Sequence, residues 1–268
     1  MPAASQVHPI RLVVADLAGT TVDFGSSAPA GVFVSLFARH GVAVTDTEAR
    51  GPMGTAKRDH IATLAALPAV AAAWRAKHGV DFAEADLDRL YAAFIPLQLQ
   101  VLPDFGDLVP GTAEAAVALR KAGVKVAVTT GYDTAMMKIV LSDAARQGFV
   151  PDAAICASDV AAGRPAPWMI YRAMEACGVW PPRAVVAVGD TIADIEAAVN
   201  AGVWAVGVTA TGNMLGLSQA AHDALEKAER AERLTVAAER MRAAGADLVI
   251  ESVADLPALL ERLAGSQS

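Results

Sequence analysis

Short apolar segments alternate with longer amphipathic segments along most of the chain. The apolar segments end in glycine, aspartate or threonine, a pattern typical of strands buried on both faces of a parallel sheet. They lie at Arg11–Ala15, Val124–Thr129, Ala153–Ala157, Ala184–Val188, Trp204–Val208 and Leu248–Ile250. Alanine-rich segments with helical periodicity lie between them, at Ala113–Ala122, Thr134–Gln147, Pro167–Cys177 and Ile192–Ala201. The alternation predicts an α/β fold with a doubly wound parallel sheet.

One long segment breaks this alternation. After the first strand the pattern predicts only helices, at Ala30–His40, Thr45–Arg50, Lys57–Leu67, Ala69–His78 and Glu84–Val101. We therefore expect an all-helical cap at 26–105, inserted into a core formed by 1–25 and 106–268. A cap inserted there faces the carboxyl edge of the sheet and can close over a small ligand. Near the end of the chain, Ser218–Ala244 has the pattern of one long amphipathic helix or two.

Composition restricts the classes of partner. Hydrophobic residues make up 54 % of the chain and aromatic residues only 5 %, so the core is expected to consist mainly of Ala, Val and Leu. The formal net charge is −7, without a basic stripe, which argues against a nucleic-acid partner. The longest apolar stretch, Leu64–Trp74, is interrupted by Pro68 and predicts no membrane span. Two cysteines, Cys156 and Cys177, lack metal-type spacing and are expected to be buried thiols of a soluble, cytoplasmic protein.

Polar side chains occur where several predicted strands end. Asp16 follows the first strand, and Asp190, with Asp194 four residues later, follows the fourth core strand. Because these strand ends share one edge of a parallel sheet, the carboxylates can hold a hard divalent cation. Thr130 offers a hydroxyl beside a glycine turn, and Arg164 offers a fixed positive charge. These residues suit the transfer of a phosphoryl group, whose oxygens require positive charge and hydrogen-bond donors.

The order and spacing of these residues resemble the four motifs of the haloacid dehalogenase superfamily. The resemblance implies a Rossmann-like core in which Asp16 is the nucleophile and Thr130 and Arg164 bind the phosphoryl oxygens. It also implies that Mg²⁺ is bound by Asp16, Asp190 and the main-chain carbonyl of Ala18, with Asp194 in support.

Ala18 distinguishes this chain from the phosphatases of that superfamily. Their residue two positions after the nucleophile is typically a second aspartate, which protonates the leaving alkoxide. An alanine cannot transfer a proton. We therefore expect a leaving group that is activated in another way.

The predicted cap contains the segment Pro52–His60, with the sequence PMGTAKRDH. This segment resembles the cap signature of the phosphonoacetaldehyde hydrolases, in which the lysine corresponding to Lys57 condenses with the substrate aldehyde. The resemblance covers nearly the whole chain, through Asp16–Gly25, Thr129–Tyr132, Gly163–Trp168, Gly189–Asp194 and Leu215–Leu217. One departure is Ser26, where some relatives carry cysteine.

The resemblance implies hydrolysis of the P–C bond of phosphonoacetaldehyde, a small-molecule phosphonate, to acetaldehyde and phosphate. Lys57 forms an imine that serves as an electron sink, and Asp16 attacks phosphorus to give an aspartyl phosphate. The amine must be neutral to attack the aldehyde, so the pKa of Lys57 is expected to fall from about 10.4 toward neutrality.

Several neighbouring residues are expected to support this chemistry. His60 is a candidate proton relay or a packing residue, Met53 lies near the lysine, and Gly131 and Tyr132 contact the substrate or only pack. The resemblance further implies a homodimer formed through the cap. Two alternatives remain open: a phosphatase acting on a small phosphate ester, and a catalytically idle relative that binds phosphate compounds.

Overall fold

The computed structural model describes residues 9–265, with side chains up to Leu263, so the predicted core segments 1–8 and 266–268 lie outside the described residues. The strands are β1 (Leu12–Asp16), β2 (Lys125–Thr130), β3 (Ala153–Cys156), β4 (Val185–Gly189), β5 (Trp204–Val208) and β6 (Leu248–Ile250). The helices outside the predicted cap are α6 (Thr112–Lys121), α7 (Thr134–Arg146), α8 (Trp168–Cys177), α9 (Ile192–Ala201), α10 (Gln219–Asp223), α11 (Lys227–Ala243) and α12 (Leu256–Gly265).

The strands form one parallel sheet in the order β3-β2-β1-β4-β5-β6. This order reverses beside β1, and in open α/β sheets ligands bind where the order reverses, at the carboxyl ends of the strands. Apolar side chains cover both faces of β1, which is buried along its whole length. Val13 and Ala15 pack into one hydrophobic cluster, and Leu12 and Val14 pack into another on the opposite face. The predicted doubly wound α/β fold is confirmed.

Helices follow β1 where the sequence predicts a cap. They are α1 (Ser27–Arg39), α2 (Asp46–Arg50), α3 (Lys57–Ala66), α4 (Pro68–His78) and α5 (Glu84–Val101). Within the described residues, no strand lies between β1 and β2. The rings of Phe33 on α1 and Phe94 on α5 stack with their centroids 4.7 Å apart, and these helices have an apolar interior of their own. The cap limits at 26 and 105 stay predictions.

The first cap helix begins earlier than the sequence pattern predicts, at Ser27 instead of Ala30. The Asp23 carboxylate accepts hydrogen bonds from the backbone N–H groups of Ser27 and Ala28, each 3.0 Å long, and so satisfies donors that a helix start leaves free. Asp23 adopts a left-handed backbone conformation, with φ 54°, that a pattern of apolar positions does not reveal.

The structure also bears on the predictions made for the segment Ser218–Ala244, for the cysteines and for membrane spans. The segment Ser218–Ala244 forms two helices, α10 and α11, separated at residues 224–226. Cys156 and Cys177 are both buried free thiols, as expected. Among the helices of residues 9–265, none combines the length and the hydropathy that crossing a lipid bilayer requires.

Candidate active site

The carboxyl ends of β1, β2 and β4 bring the predicted polar residues together. Asp16 is the last residue of β1 and pairs in register with Thr129, so that Thr130 lies one residue beyond it on β2. Asp190 directly follows β4. Asp16, Thr130 and Asp190 are all buried, although each is polar. Buried polar groups persist where they have partners or bind a ligand, which marks this edge of the sheet as a candidate site.

Arg164 connects the acidic residues of the site. Its Nη1 atom lies 2.7 Å from Asp16 Oδ1 and 2.8 Å from Asp194 Oδ1. Its Nη2 atom donates a 2.7 Å hydrogen bond to Thr129 Oγ1, and Nη1 also reaches the Gly54 carbonyl of the cap at 3.4 Å. This arrangement fixes a planar cation beside the nucleophile predicted from the sequence.

Asp190 is held in place by donors from two loops. Its Oδ1 atom accepts a 3.3 Å hydrogen bond from the Thr20 hydroxyl, and its Oδ2 atom accepts a 2.7 Å bond from the backbone N–H of Asn213. Asp16, Asp190 and Asp194 each offer a carboxylate oxygen, and these oxygens lie within 4.8 Å of one another. Oxygen atoms at this spacing match the ligands of a hard cation.

The electrostatics of the acidic cluster favour a cation. Burial raises the pKa of Asp16 to about 6, although the Arg164 guanidinium opposes this. Burial and the nearby Asp16 carboxylate raise the pKa of Asp190 well above its usual range. Burial works against the charge of Arg164, but Asp194 and Asp16 outweigh it and raise the Arg164 pKa. Three buried carboxylates face one guanidinium, so the excess negative charge fits a bound divalent cation.

Lys57 is the first residue of α3 and is only 6 % exposed. Its Nζ atom lies 5.0 Å from the centre of the Tyr132 ring and 5.8 Å from the centre of the Phe33 ring. Burial lowers the pKa of Lys57 to about 8, against the opposing effect of the Asp16 carboxylate. About a tenth of this amine is therefore neutral at pH 7, far more than in an ordinary lysine, and the neutral form is the one that a nucleophilic amine requires.

The loop before α3 is the part of the cap that lies in close contact with the core. A Cβ atom added to Gly54, which has φ +90°, would lie 2.2 Å from Thr191 Oγ1. A Cβ atom added to Gly131 would lie 2.4 Å from the Thr55 carbonyl oxygen. Both glycines therefore permit a close approach of backbone that any side chain would prevent.

A small cavity of about 20 Å³ lies between cap and core. Its walls are formed by Asp16, Ala18, Ser26, Pro29, Met53, Gly54, Lys57, Thr130, Gly131, Tyr132, Arg164 and Thr191. A space of this size holds about one water molecule. The lysine, the aspartate and the arginine predicted from the sequence thus line one small cavity.

Comparisons with known proteins identify the family. The model of the haloacid dehalogenase-like hydrolases matches residues 10–202. A phosphonoacetaldehyde hydrolase from Paraburkholderia phytofirmans is 46 % identical over 92 % of each chain. One from Nitratidesulfovibrio vulgaris is 47 % identical over 92 % of this chain and 88 % of its own. The chain belongs to the phosphonoacetaldehyde hydrolase family.

The fold comparison agrees with this membership. The crystal structure of a phosphonoacetaldehyde hydrolase-like protein from Oleispira antarctica superimposes with a TM-score of 0.95 at 37 % identity, over 98 % of this chain and 96 % of the other. The family resemblance found in the sequence is confirmed, as is membership in the haloacid dehalogenase-like hydrolases. The individual roles of the site residues, the homodimer and the cytoplasmic location stay predictions.

His60, which the family resemblance offers as a support residue, is not one of the residues that form the cavity wall. Its Nε2 atom is 2.8 Å from the Ala49 carbonyl oxygen, so Nε2 carries the proton and donates it. The imidazole stacks on Phe33 with ring centres 3.7 Å apart, and burial followed by the Lys57 charge lowers its pKa well below the usual value. This leaves Nδ1 as a buried acceptor without a partner in the described residues, one helical turn from Lys57.

Met53, Gly131, Tyr132 and Ala18 all line the cavity with Lys57, so the structure brings these predicted residues together. Thr130 lines the same cavity. Its hydroxyl oxygen accepts a 3.1 Å hydrogen bond from the backbone N–H of Tyr132, which leaves the hydroxyl proton free to be donated.

Sequence reasoning missed several residues of the site. The Thr129 hydroxyl accepts a hydrogen bond from Arg164, and Thr191 joins Asp194 in a reciprocal helix cap with a 2.5 Å hydrogen bond. Ser26 also lines the cavity. The T-x-x-D spacing from Thr191 to Asp194 is a capping-box signal that could have revealed that cap.

Proposed function

We propose that this protein hydrolyses the P–C bond of phosphonoacetaldehyde to acetaldehyde and phosphate, with Lys57 as the imine-forming amine and Asp16 as the nucleophile. The observation that carries the proposal is that Lys57 and Asp16 line the same small cavity. The names of the relatives support the substrate, because phosphonoacetaldehyde hydrolases are 46 % and 47 % identical to this chain.

The lysine solves the difficulty of the leaving group. Direct cleavage of a P–C bond would expel a carbanion, which is a very poor leaving group. A protonated imine beside the carbon that bears phosphorus accepts the bonding electrons and becomes a neutral enamine, so the reaction needs no proton donor at the leaving atom. This accounts for Ala18 at a position where phosphatases of the superfamily typically carry an acid.

The proposed cycle balances as follows. The Lys57 amine adds to the aldehyde and, with loss of one water, forms the protonated imine. An Asp16 oxygen then forms a bond to phosphorus while the P–C bond breaks and its electron pair moves into the enamine. One water hydrolyses the aspartyl phosphate to phosphate. The enamine carbon takes up a proton, and a second water hydrolyses the imine to acetaldehyde and free Lys57, so one water is consumed overall.

The surrounding residues stabilise the transferred group. Arg164 contacts the Asp16 carboxylate at 2.7 Å and can donate to a phosphoryl oxygen beside it, while Thr130 offers its free hydroxyl proton. We propose that Asp16, Asp190 and the Ala18 carbonyl hold Mg²⁺, with Asp194 orienting Arg164. When bound there, Mg²⁺ neutralises charge on the phosphoryl oxygens and on the two carboxylates.

The small volume of the cavity leads us to propose that the cap moves. Free space of about 20 Å³ is less than a two-carbon phosphonate occupies, so we expect cap and core to separate before substrate enters. Closure then removes water from Lys57, which keeps its amine partly neutral.

Trapping with borohydride tests the proposal directly. We expect incubation with Mg²⁺, phosphonoacetaldehyde and borohydride to inactivate the protein and to leave a reduced two-carbon adduct on Lys57, found by peptide mass spectrometry. Without borohydride the protein should release acetaldehyde and phosphate in equal amounts. An unmodified Lys57 together with no acetaldehyde would reject this function.

The pH dependence of trapping should report the lowered pKa of Lys57. Because the neutral amine is the reactive form, the trapping rate should rise about tenfold per pH unit below pH 8 and level off above it. An ordinary lysine would continue to gain reactivity up to about pH 10.4. The measurement is the initial rate of adduct formation between pH 6 and 10, and a rate still rising at pH 10 would contradict the lowered pKa.

A substitution at the seam between cap and core should impair catalysis. Gly131→Ala places a methyl group 2.4 Å from the Thr55 carbonyl oxygen, so the cap must shift. A displacement near 1 Å costs about 100-fold in kcat/KM when reacting groups must be aligned. Gly31→Ala is the matched control, because an added Cβ meets nothing within 4 Å there. Wild-type kcat/KM in Gly131→Ala would show that catalysis does not depend on the close contact between Gly131 and Thr55.

A further inference from the structure

Arg50, the last residue of the cap helix α2, reaches across to the core. Its side chain is only 14 % exposed and lies 2.8 Å, through Nε, from Asp46 on the same helix. Its Nη1 atom donates to the Gly25 carbonyl at 2.8 Å and to Asn213 Oδ1 at 3.3 Å. Gly25 belongs to the connection between core and cap, and Asn213 belongs to the loop after β5. Arg50 therefore ties the cap to two separate segments of the core.

Asn213 binds Arg50 in return and also binds a residue of the acidic cluster. Its Nδ2 atom donates a 3.1 Å hydrogen bond to the Arg50 carbonyl, so Arg50 and Asn213 bind each other reciprocally. The backbone N–H of the same residue donates the 2.7 Å bond to Asp190 Oδ2. One residue thus joins a cap arginine to a carboxylate proposed to bind the metal.

The loop that carries Asn213 is fitted closely on both sides. A Cβ atom added to Gly212 would lie 2.2 Å from the Cβ atom of Asp190. At the other end, a Cβ atom added to Gly216, which has φ +62°, would lie 2.7 Å from Arg50 Nε. Neither glycine leaves room for a side chain, so the loop packs tightly against both Asp190 and Arg50. A continuous set of hydrogen bonds therefore runs from Arg50 of the cap, through Asn213, to the Asp190 carboxylate.

Arg58 offers a contrast within the same cap. It forms ion pairs with Glu84 and with Asp88, the latter at 2.7 Å, and both partners lie on the cap helix α5. Its pairs join cap to cap and are exposed, so they bring no core residue into contact. Arg50, by comparison, contacts residues that are separated from it by up to 163 positions in the chain.

We propose that Arg50 and Asn213 are positioning residues that couple closure of the cap to binding of the divalent cation. With the cap closed, Arg50 holds Asn213 in place, and the N–H of Asn213 fixes the rotation of the Asp190 carboxylate. Coupling between two sites is reciprocal, so a bound cation favours the closed cap and a ligand that closes the cap tightens the cation. The inference rests on the proposed function for its metal site and closing ligand.

Binding measurements without turnover test the coupling. Mg²⁺ is titrated into the protein by calorimetry, with and without saturating inorganic phosphate. In the wild type we expect phosphate to lower the dissociation constant of Mg²⁺. In Arg50→Ala and in Asn213→Ala the size of this tightening should fall about tenfold, within the usual range of coupling between sites. The double variant should lose no more than either single variant, because the two residues form one connection.

Two further variants separate positioning from structural damage. Arg58→Ala removes cap ion pairs and should keep the wild-type tightening. Arg50→Lys keeps a charge that can reach the Gly25 carbonyl and should restore part of it. Hydrogen exchange of segment 212–217 should be slowed by Mg²⁺ with phosphate in the wild type and not in Arg50→Ala.

Other results overturn the inference. Phosphate tightening that stays at the wild-type size in both Arg50→Ala and Asn213→Ala rejects it, and so does a wild type in which phosphate leaves Mg²⁺ binding unchanged. Additive losses in the double variant would also reject it, because the two residues would then act separately. Release of acetaldehyde by the wild type is measured in parallel. A protein that shows the coupling but releases no acetaldehyde contradicts the proposed function alone.

Discussion

Replacing Lys57 with arginine should abolish acetaldehyde release as completely as replacing it with alanine. Arginine keeps the positive charge and much of the length of lysine, but its guanidinium stays protonated and cannot condense with an aldehyde. Without the imine, the P–C bond must break toward a carbanion. We expect a loss on the order of 10⁴-fold or more in kcat, as for the removal of other covalent groups, measured as acetaldehyde and phosphate release.

The matched control is Lys77→Arg, which changes an exposed lysine on the cap helix α4 and should leave kcat unchanged. Binding of inorganic phosphate to Lys57→Arg shows whether the core of the site is intact. Acetaldehyde release above about a tenth of the wild-type rate in a folded Lys57→Arg would exclude covalent catalysis by this lysine. Loss of activity with trapping on another lysine would assign the imine elsewhere.

The fold was accessible from the sequence because its signals are local. Buried parallel strands appear as continuous apolar runs, and their carboxyl ends meet at one edge whatever the intervening helices do. Asp16, Thr130 and Asp190 could therefore be grouped before any coordinates were known, and their strands are neighbours in the sheet. Lys57 was accessible only through the family resemblance, since an isolated lysine at a helix start is ordinarily a solvated residue.

The partners of these residues could not be obtained in the same way. Which threonine binds Arg164 depends on the direction of two adjacent side chains at the end of β2, and Thr129 makes the contact. The reciprocal pair of Arg50 and Asn213 joins positions that share no local pattern. The cavity depends on how closely Gly131 approaches Thr55, which is a property of the packed cap and core. Such features arise from tertiary packing, where hydrophobic periodicity carries no information.

Replacing Asp16 with asparagine should abolish turnover while leaving imine formation intact. Asparagine has nearly the size of aspartate and can still accept a hydrogen bond from Arg164, but its amide oxygen is a poor nucleophile toward phosphorus. We expect kcat to fall on the order of 10⁴-fold or more. The Lys57 adduct should still form with phosphonoacetaldehyde and borohydride, because the aldehyde reacts before phosphorus does.

The same variant tests the direction in which the Asp16 charge shifts the pKa of Lys57. Burial lowers the pKa of Lys57 to about 8, and the Asp16 charge opposes that fall. Removing the charge should therefore lower the pKa of Lys57 further, so that trapping reaches half of its plateau at a lower pH than in the wild type. Asp59→Asn, an exposed change on the same helix α3, should leave the trapping profile unchanged.

Two results would separate the roles assigned to Asp16 and Lys57. Loss of trapping in a folded Asp16→Asn protein would mean that Asp16 is needed for the imine itself and not only for attack on phosphorus. A trapping profile displaced to higher pH would mean that Asp16 does not stabilise the charged amine. If trapping persists and its profile moves to lower pH, the aldehyde and the phosphorus are handled by different residues across one cavity, and Asp16 then serves both as nucleophile and as the charge that restrains the lysine pKa.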